Sequence, residues 1–239
     1  MDDQNASTGF TPEEAPPRRI VALLSGEGIC LEALLDAREH DELGGDLVAV
    51  ITDRESSHGA MQAREAGIDV AVLPRKEYDT PTAYDGALIK VIERHEPDLV
   101  VLDDFRHRFS SIFTSRFNGR LLNVHPGLLP KYPGAHTHQR VLDDGVCEHG
   151  ASVHFVTEQL NTGPLVIQAV ADVTHEDTID TLTEKSHVRA QLIYPIAVRW
   201  FLSGRLALSE QGATLDNVLL PPSGLRLSHD DVEEELYGE

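Results

Sequence analysis

The stretch RRIVALLSGEGICLEALLDAREH, residues 18–40, places a strand, a glycine-containing turn and a helix in direct succession. The strand predicted over residues 19–24 carries an unbroken apolar run, which is typical of a strand that is covered on both faces of a parallel sheet. After the turn, Leu31, Leu34 and Leu35 recur at the spacing of one helical face. This strand–turn–helix order is the repeating unit of an α/β sheet.

The same alternation of strand and helix continues through the first half of the chain. Four further strands are predicted, over residues 47–52, 68–73, 98–102 and 120–124. Before the fourth of the five strands, Thr80 and Pro81 form a cap and first-turn pair that is typical of a helix N-terminus. The alternation predicts an α/β fold with a doubly wound, mostly parallel, Rossmann-like sheet. In such sheets, ligands bind outside the carboxyl ends of the strands.

The second half of the chain predicts antiparallel C-terminal strands. Residues 151–157 alternate between apolar and polar positions, and residues 164–173 form a second strand after the turn-rich link EQLNTG. A long helix is predicted over residues 178–203. We expect this helix to be interrupted or kinked at Pro195 and to end at Gly204.

Three segments are predicted along the chain. Residues 1–17 are acidic and have no apolar core, so they are predicted to be a disordered leader and not a signal peptide. Residues 18–209 are predicted to form one α/β domain. Residues 210–239 are predicted to hold a terminal hairpin and an acidic tail.

Charge and composition limit the partners that we expect. The 239 residues include 40 acidic and 20 basic side chains, for a net charge of −20. Nucleic acid is not expected as a partner, because phosphate binding needs a positive surface, and no apolar run approaches the ~20 residues that span a membrane. Two cysteines are too few for a disulfide scaffold and lack metal-ligand spacing. We therefore predict small-molecule substrates, no metal and a cytoplasmic location, and a homodimer is left open.

The loop after the fifth strand holds candidate catalytic side chains. It reads LLNVHPGLLPKYPGAHTHQ, residues 121–139. Asn123 offers two N–H donors and His125 one or two, and the Pro126-Gly127 pair would hold both toward one point. Donors that converge in this way can stabilise the oxyanion of a tetrahedral carbon. On these residues alone, an Asn and a His that merely cap a loop are the favoured interpretation.

Two longer strings carry a family resemblance. NVHPGLLPKYPGAHTHQRVLDDG (123–145) and HGASVHFVTEQLNTGPLVIQ (149–168) closely resemble the glycinamide ribonucleotide (phosphoribosylglycinamide) formyltransferases. That family shares its fold with methionyl-tRNA formyltransferase and formyltetrahydrofolate deformylase. The resemblance, which runs from residue 19 to residue 208, implies a formyltransferase-like domain. It also implies a co-substrate, 10-formyltetrahydrofolate, whose formyl group passes to an amine in purine biosynthesis.

The resemblance assigns roles to three catalytic positions. Asn123 would donate to the formyl oxygen as it becomes an oxyanion, and His125 would stabilise that charge and handle protons. The third position in the family is an Asp in a Leu-Asp-Gly-Gly-Pro-like turn, and in this chain the turn reads LNTGP, with Asn161. An adjacent Asp raises the pKa of an imidazole, whereas an Asn can only orient the ring.

The loop after the first strand also departs from the family pattern. Members of the family have Ser-Gly-Asn-Gly-Ser-Asn there, which holds the substrate phosphate at a helix N-terminus. This chain keeps the glycines, as Gly26 and Gly28, but places Glu27 between them. We therefore expect weak phosphate affinity at this loop.

The sequence DDFRHRF, residues 103–109, replaces an apolar family pattern that lines the folate pocket. The folate-pocket candidates are Arg106, His107, Arg108, Phe109, Thr157 and Glu158. Two interpretations of the new charges stay open. Either Asp103 pairs with Arg106 or Arg108 near the surface, or the pocket is reshaped for a different ligand.

Three functions are compatible with these residues. The first is formyl transfer of the phosphoribosylglycinamide formyltransferase type, weakened or altered in substrate. The second is a catalytically impaired relative that binds a ligand or regulates a partner. The third is a hydrolase that releases formate from 10-formyltetrahydrofolate to water. The acceptor amine and the oligomeric state are not determined by the sequence.

Overall fold

The computed structural model describes residues 17–228 and 230–231. Apart from residue 17, the predicted leader lies outside these residues, and so does most of the acidic tail. Among the described helices, none combines the length and the apolar character that crossing a bilayer requires.

The described residues alternate between strands and helices as far as the middle of the chain. The strands are β1 (Arg19–Leu24), β2 (Asp46–Thr52), β3 (Asp69–Val72), β4 (Leu99–Asp103), β5 (Leu121–His125), β6 (Glu148–Phe155), β7 (Leu165–Asp172), β8 (Leu206–Ser209), β9 (Gly212–Leu215), β10 (Val218–Leu219) and β11 (Leu225–Leu227). The helices are α1 (Leu31–Glu39), α2 (His58–Glu65), α3 (Pro81–Glu93), α4 (Ser111–Arg116), α5 (Thr137–Asp144) and α6 (Ile179–Leu202), with a 3₁₀ turn at Arg75–Glu77.

The main sheet has eight strands in the order β11-β7-β6-β5-β4-β1-β2-β3. The five strands β5, β4, β1, β2 and β3 are parallel to one another. β6 runs antiparallel to both of its neighbours, β5 and β7. The chain runs outward from β1 in one direction through β2 and β3, and then in the other through β4 and β5. The predicted doubly wound, mostly parallel sheet with antiparallel C-terminal strands is therefore confirmed, and its switch point lies between β1 and β4.

The sheet is covered on both faces, which explains the unbroken apolar runs of its central strands. One core contains side chains of α1 and α6, and the other contains side chains of α3 and α4. Successive residues of β1 point alternately into the two cores, and residues 20–24 are all buried. Thr80 caps α3 by accepting from the Ala83 N–H, with Pro81 at the first helical position, as predicted.

The long helix α6 is not interrupted at Pro195. It continues from Ile179 to Leu202, although a proline removes one i→i−4 hydrogen bond. The residues on either side of it, Tyr194 and Ala197 among them, are fully buried against the sheet, and this packing holds the helix together. Gly204 follows the helix in a left-handed conformation, as predicted.

The C-terminal segment forms more than a hairpin. β8 and β9 pair antiparallel, β10 adds a third strand to this small sheet, and β11 then joins the main sheet parallel to β7. The proposed boundary after residue 209 falls in the turn between β8 and β9.

Tyr194 links α6 to the two strand ends beside the site. Its hydroxyl donates to the carbonyl oxygens of Leu102 (2.9 Å) and Leu122 (3.1 Å) and is fully buried.

Tyr194→Phe is expected to lower the free energy of unfolding by about 1–3 kcal/mol, because a buried carbonyl loses its donor. Urea denaturation measures this change. Tyr78→Phe is the control, since the Tyr78 hydroxyl makes no hydrogen bond to the described residues, and an equal loss in both variants would contradict the bridging role.

Candidate active site

A cavity of about 760 Å³ lies outside the carboxyl ends of β4 and β5, beside the loop that follows β1. The predicted site residues that line it are Arg106, His107, Arg108, Phe109, Asn123, His125, Thr157, Glu158 and Asn161. They come from the end of β4, from β5 and from the turn between β6 and β7. The cavity therefore lies at the topological switch point, where α/β sheets bind ligands.

Asn123 is held by a side chain of the neighbouring strand. Its amide nitrogen Nδ2 lies 3.0 Å from Nε2 of His154, which is the residue opposite Asn123 in the β5–β6 pairing. Nδ1 of His154 lies 2.8 Å from the Phe155 carbonyl oxygen. Asn123 thus has a fixed amide and still reaches the cavity.

His125 is a buried and neutral imidazole. Its Nε2 lies 3.1 Å from the Tyr132 carbonyl oxygen and donates to it, so Nδ1 keeps its lone pair. Burial lowers the pKa of His125 to about 4, against the opposing effect of the Tyr132 carbonyl, and the neighbouring His154 lowers it further. At neutral pH His125 can therefore accept a proton but does not bring a positive charge to an oxyanion.

Asn161 lines the same cavity but does not pair with His125. It adopts a left-handed backbone conformation (φ 57°), which Asn tolerates better than most residues. Its side chain makes no hydrogen bond to the described residues. Neither neighbouring aspartate replaces the missing charge, because Asp103 and Asp104 have other partners.

Asp103 does not pair with Arg106 or Arg108, so that interpretation is wrong. Its Oδ2 accepts the backbone N–H groups of Cys30 (2.9 Å) and Leu31 (3.0 Å), at the N-terminus of α1. Burial raises the pKa of Asp103 to about 6, although these two hydrogen bonds lower it. Cys30 is the N-cap residue of α1, but its side chain makes no capping hydrogen bond. The carboxylate of Asp103 therefore takes the place of a capping side chain for this helix.

The turn at residues 26–28 does not line the cavity, whereas Ile29 and Cys30 do. Gly28 has a left-handed backbone (φ 72°), and the Glu27 side chain is exposed. The carboxylate in direct contact with the N–H groups after this turn is that of Asp103. The carboxylate at these N–H groups therefore comes from β4, whereas the expectation named Glu27.

Two sets of side-chain hydrogen bonds hold the segment after β4. Arg106 pairs with Asp104 through two hydrogen bonds (3.0 and 2.9 Å). His107 and Asp85 form a buried pair at 2.6 Å, and Asp85 also accepts the Ser110 N–H at 2.7 Å. Burial would raise the pKa of Asp85, but the hydrogen bonds from His107 and Ser110 hold it below its ordinary value.

Aromatic stacking gives the same segment an apolar wall. Phe109 stacks on Phe113, with ring centroids 4.1 Å apart, and Phe105 stacks on Phe109 at 5.8 Å. His107 meets the Phe109 ring edge-on. The charged sequence 103–109 therefore presents aromatic as well as charged surface to the cavity.

The sequence did not indicate several residues that hold the site. His154, the Tyr132 carbonyl and the pair His138–His149 (Nδ1 to Nε2, 2.8 Å) all come from outside the Asn-Val-His motif. The helix α5 was also missed, and it begins within the stretch predicted as a loop. The alternating pattern of β6 could have pointed to His154. In such a strand every second side chain lies on one face of the sheet, here the face that carries Asn123.

Comparison with known proteins identifies the family. A family model described as formyl transferase matches residues 18–198. The chain is 43% identical over 205 residues to the phosphoribosylglycinamide formyltransferase of Escherichia coli strain K12, covering 86% of this chain and 97% of that protein. The chain belongs to the phosphoribosylglycinamide formyltransferase family. The predicted family membership and the prediction of a folate-dependent formyltransferase are thereby confirmed.

Solved structures support the same family. The phosphoribosylglycinamide formyltransferase from Coxiella burnetii is 38% identical, with a TM-score of 0.84, over 88% of this chain and 99% of that one. A formyltetrahydrofolate deformylase from Pseudomonas syringae is 24% identical, with a TM-score of 0.78, and shares the fold.

Buried imidazoles give the stability of the protein a pH dependence. Burial lowers the pKa values of His125, His149 and His154 to about 4. In the unfolded chain each takes up a proton near pH 6.5, so the stability that they confer is present above pH 6.5 and is lost as the pH falls toward 4. Asp103, with its pKa raised to about 6, acts in the opposite sense, because the folded state takes up its proton first.

Three imidazoles lower the stability as the pH falls, and one carboxylate raises it. The free energy of unfolding is therefore expected to fall between pH 6.5 and 4. Each pKa unit of difference is worth about 1.4 kcal/mol for a fully buried group. Urea denaturation at intervals of half a pH unit measures the slope. A stability that stays level over this interval would contradict the neutral state of these imidazoles.

Asp103 should weaken the binding of anions at the first loop. Asp103→Ala removes the carboxylate and frees the Cys30 N–H, while the Leu31 N–H keeps its second acceptor, the Gly28 carbonyl oxygen. Inorganic phosphate is therefore expected to bind about tenfold more tightly, a gain in the range for anions at helix N-termini. Titration followed by ³¹P NMR at pH 8 measures this. Asp79→Ala removes the same charge at an exposed position outside the cavity lining, and an equal gain in both variants would show a general charge effect instead.

Proposed function

We propose that the protein transfers the formyl group of 10-formyltetrahydrofolate to the amine of phosphoribosylglycinamide. The observation that carries this proposal is that Asn123 and His125 line one cavity at the switch point of the sheet. The names of the relatives supply the acceptor. The cavity volume suits small organic substrates, and its aromatic wall around Phe109 suits a flat ring.

The proposal gives Asn123 and His125 separate roles in the transfer. The amine attacks the formyl carbon, and the carbonyl electrons move to oxygen, where an N–H of Asn123 stabilises the negative charge. Neutral His125 is available to take the proton that the attacking nitrogen loses. The bond from the formyl carbon to N10 then breaks, the carbonyl forms again, and the proton ends on N10 of tetrahydrofolate.

The test is an assay of formyl transfer with phosphoribosylglycinamide and 10-formyltetrahydrofolate, at low and high salt. Salt is varied because a chain with a net charge of −20 is stabilised by screening. Formylated product at a rate that depends on both substrates supports the proposal. Formate released without an acceptor would favour the hydrolase, and ligand binding without turnover would favour the impaired relative.

Other parts of the proposal rest on the family resemblance or on sequence pattern and composition. The assignment of the folate side to residues 106–109 and 157–158 remains a proposal, as do the domain limits of 18–209. The cytoplasmic location, the lack of nucleic-acid and membrane partners, and a homodimer also remain predictions.

Asn161 limits the reaction in this proposal. Asn161→Asp places a negative charge on the wall of the cavity that holds His125, so the pKa of His125 should rise. We expect kcat to increase about tenfold or more, and the pH profile to move upward. Steady-state kinetics from pH 5 to 9 measure both.

Asn217→Asp provides the matched control. Asn217 also has a left-handed backbone (φ 65°), and it is exposed in the C-terminal sheet, away from the cavity. The same charge added there should leave kcat unchanged. If Asn161→Asp leaves the rate and its pH profile unchanged, the site does not need a carboxylate at this position.

A further inference from the structure

The pairing of β5 with β6 places one polar residue opposite each of the two catalytic candidates. Asn123 faces His154, and His125 faces Ser152. Both β6 residues are buried, with 2% and 0% of their surface exposed. Buried polar side chains almost always make hydrogen bonds. Ser152 bonds to the backbone of a loop, whereas His154 bonds to the side chain of Asn123.

Ser152 holds the backbone of the loop that follows β5. Its Oγ donates to the Gly127 carbonyl oxygen at 2.6 Å and accepts the Leu129 N–H at 3.0 Å. Gln168 on β7 adds a bond to the same Oγ at 2.8 Å. Ser152 therefore shapes the loop and contacts neither Asn123 nor the His125 ring through a hydrogen bond.

His154 contacts the side chain of Asn123, and the geometry fixes the direction of that hydrogen bond. The Phe155 carbonyl can only accept, so Nδ1 of His154, 2.8 Å away, must carry the proton. A neutral imidazole has one N–H, which leaves a lone pair on Nε2. Burial keeps the ring neutral, with its pKa lowered to about 4. Asn123 must then present Nδ2, and not its oxygen, to Nε2 at 3.0 Å.

We propose that His154 is a positioning residue for formyl transfer, which accepts one N–H of Asn123 and so sets the amide with its other N–H available to the formyl oxygen. This inference rests on the proposed function. Without the acceptor at Nε2, nothing in the described site distinguishes the amide from its flipped form, in which the oxygen and NH₂ exchange places. The flipped form would place a carbonyl oxygen where the oxyanion needs a donor.

The first experiment reads the tautomer directly in the wild-type protein. The ¹⁵N shifts of the histidine rings at pH 7.5 should show His154 with Nδ1 protonated and Nε2 unprotonated, and His154→Gln assigns the signal by its loss. A proton on Nε2, or a charged ring, would overturn the inference. This measurement needs neither substrate nor turnover.

The second experiment is a double-mutant cycle on kcat. His154→Leu removes the acceptor with a side chain of similar size, and kcat is expected to fall about 10- to 100-fold, somewhat less than the roughly 10²–10³ for loss of an oxyanion donor. The KM values for both substrates should change by less than about twofold, as for an interaction made only in the transition state. In an Asn123→Ala background, the same change should cost no further activity.

His154→Gln is the conservative variant, because its amide oxygen can accept the N–H of Asn123, and it should restore most of kcat. Equal losses from His154→Leu in both backgrounds, or full activity of His154→Leu, would overturn the inference. If the leucine variant does not fold, the tautomer measurement still decides. Failure of the proposed function is a separate outcome, which appears as absent formyl transfer by the wild-type protein.

Discussion

The hydrogen-bond register between β5 and β6 is the constraint on which the site depends. It sets Asn123 opposite His154 and His125 opposite Ser152. Because side chains alternate along a strand, a slip of one residue would turn His154 and Ser152 to the other face of the sheet. The antiparallel direction of β6 places its carboxyl end beside the start of β5, with Phe155 opposite Leu122, and the turn that follows contributes Asn161 to the lining of the cavity.

Burial determines the chemistry that this register makes available. His125 and His154 have little contact with solvent, and burial holds the pKa values of both far below pH 7. Neutral rings have one donor and one acceptor, so each ring needs a defined partner at each nitrogen. The Tyr132 carbonyl accepts the N–H of His125, and the Phe155 carbonyl accepts that of His154. The other ring nitrogen of each imidazole therefore keeps a lone pair that can accept a hydrogen bond or a proton.

Local patterns predicted the scaffold, and long-range contacts account for what they missed. The apolar run of β1, the Thr80-Pro81 start of α3 and the Gly204 end of α6 are local signals, and the structure confirmed each of them. One of the two interpretations of Asp103 was wrong because charges close in sequence suggested Arg106 or Arg108, whereas its partners lie more than 70 residues away at the N-terminus of α1. The role of His154 likewise depends on a strand pairing that no single segment encodes. The helix α5 was hidden because its eight residues follow a proline-rich loop and an N-cap residue, His136, with a left-handed backbone and no side-chain capping hydrogen bond.

This chain departs from the family pattern at Asn161 and at Asp103, and the second change does not compensate for the first. The family pattern has a carboxylate at the position of Asn161, and this chain instead has a buried carboxylate at Asp103. That carboxylate is committed to two backbone N–H groups of α1, and no carboxylate is among the groups that shift the pKa of His125. The negative charge has thus moved from the side of the imidazole to the end of a helix, where it opposes an anion. In the proposed reaction, a neutral His125 leaves Asn123 as the main stabiliser of the oxyanion, so the orientation of its amide matters more than it would beside a charged imidazole.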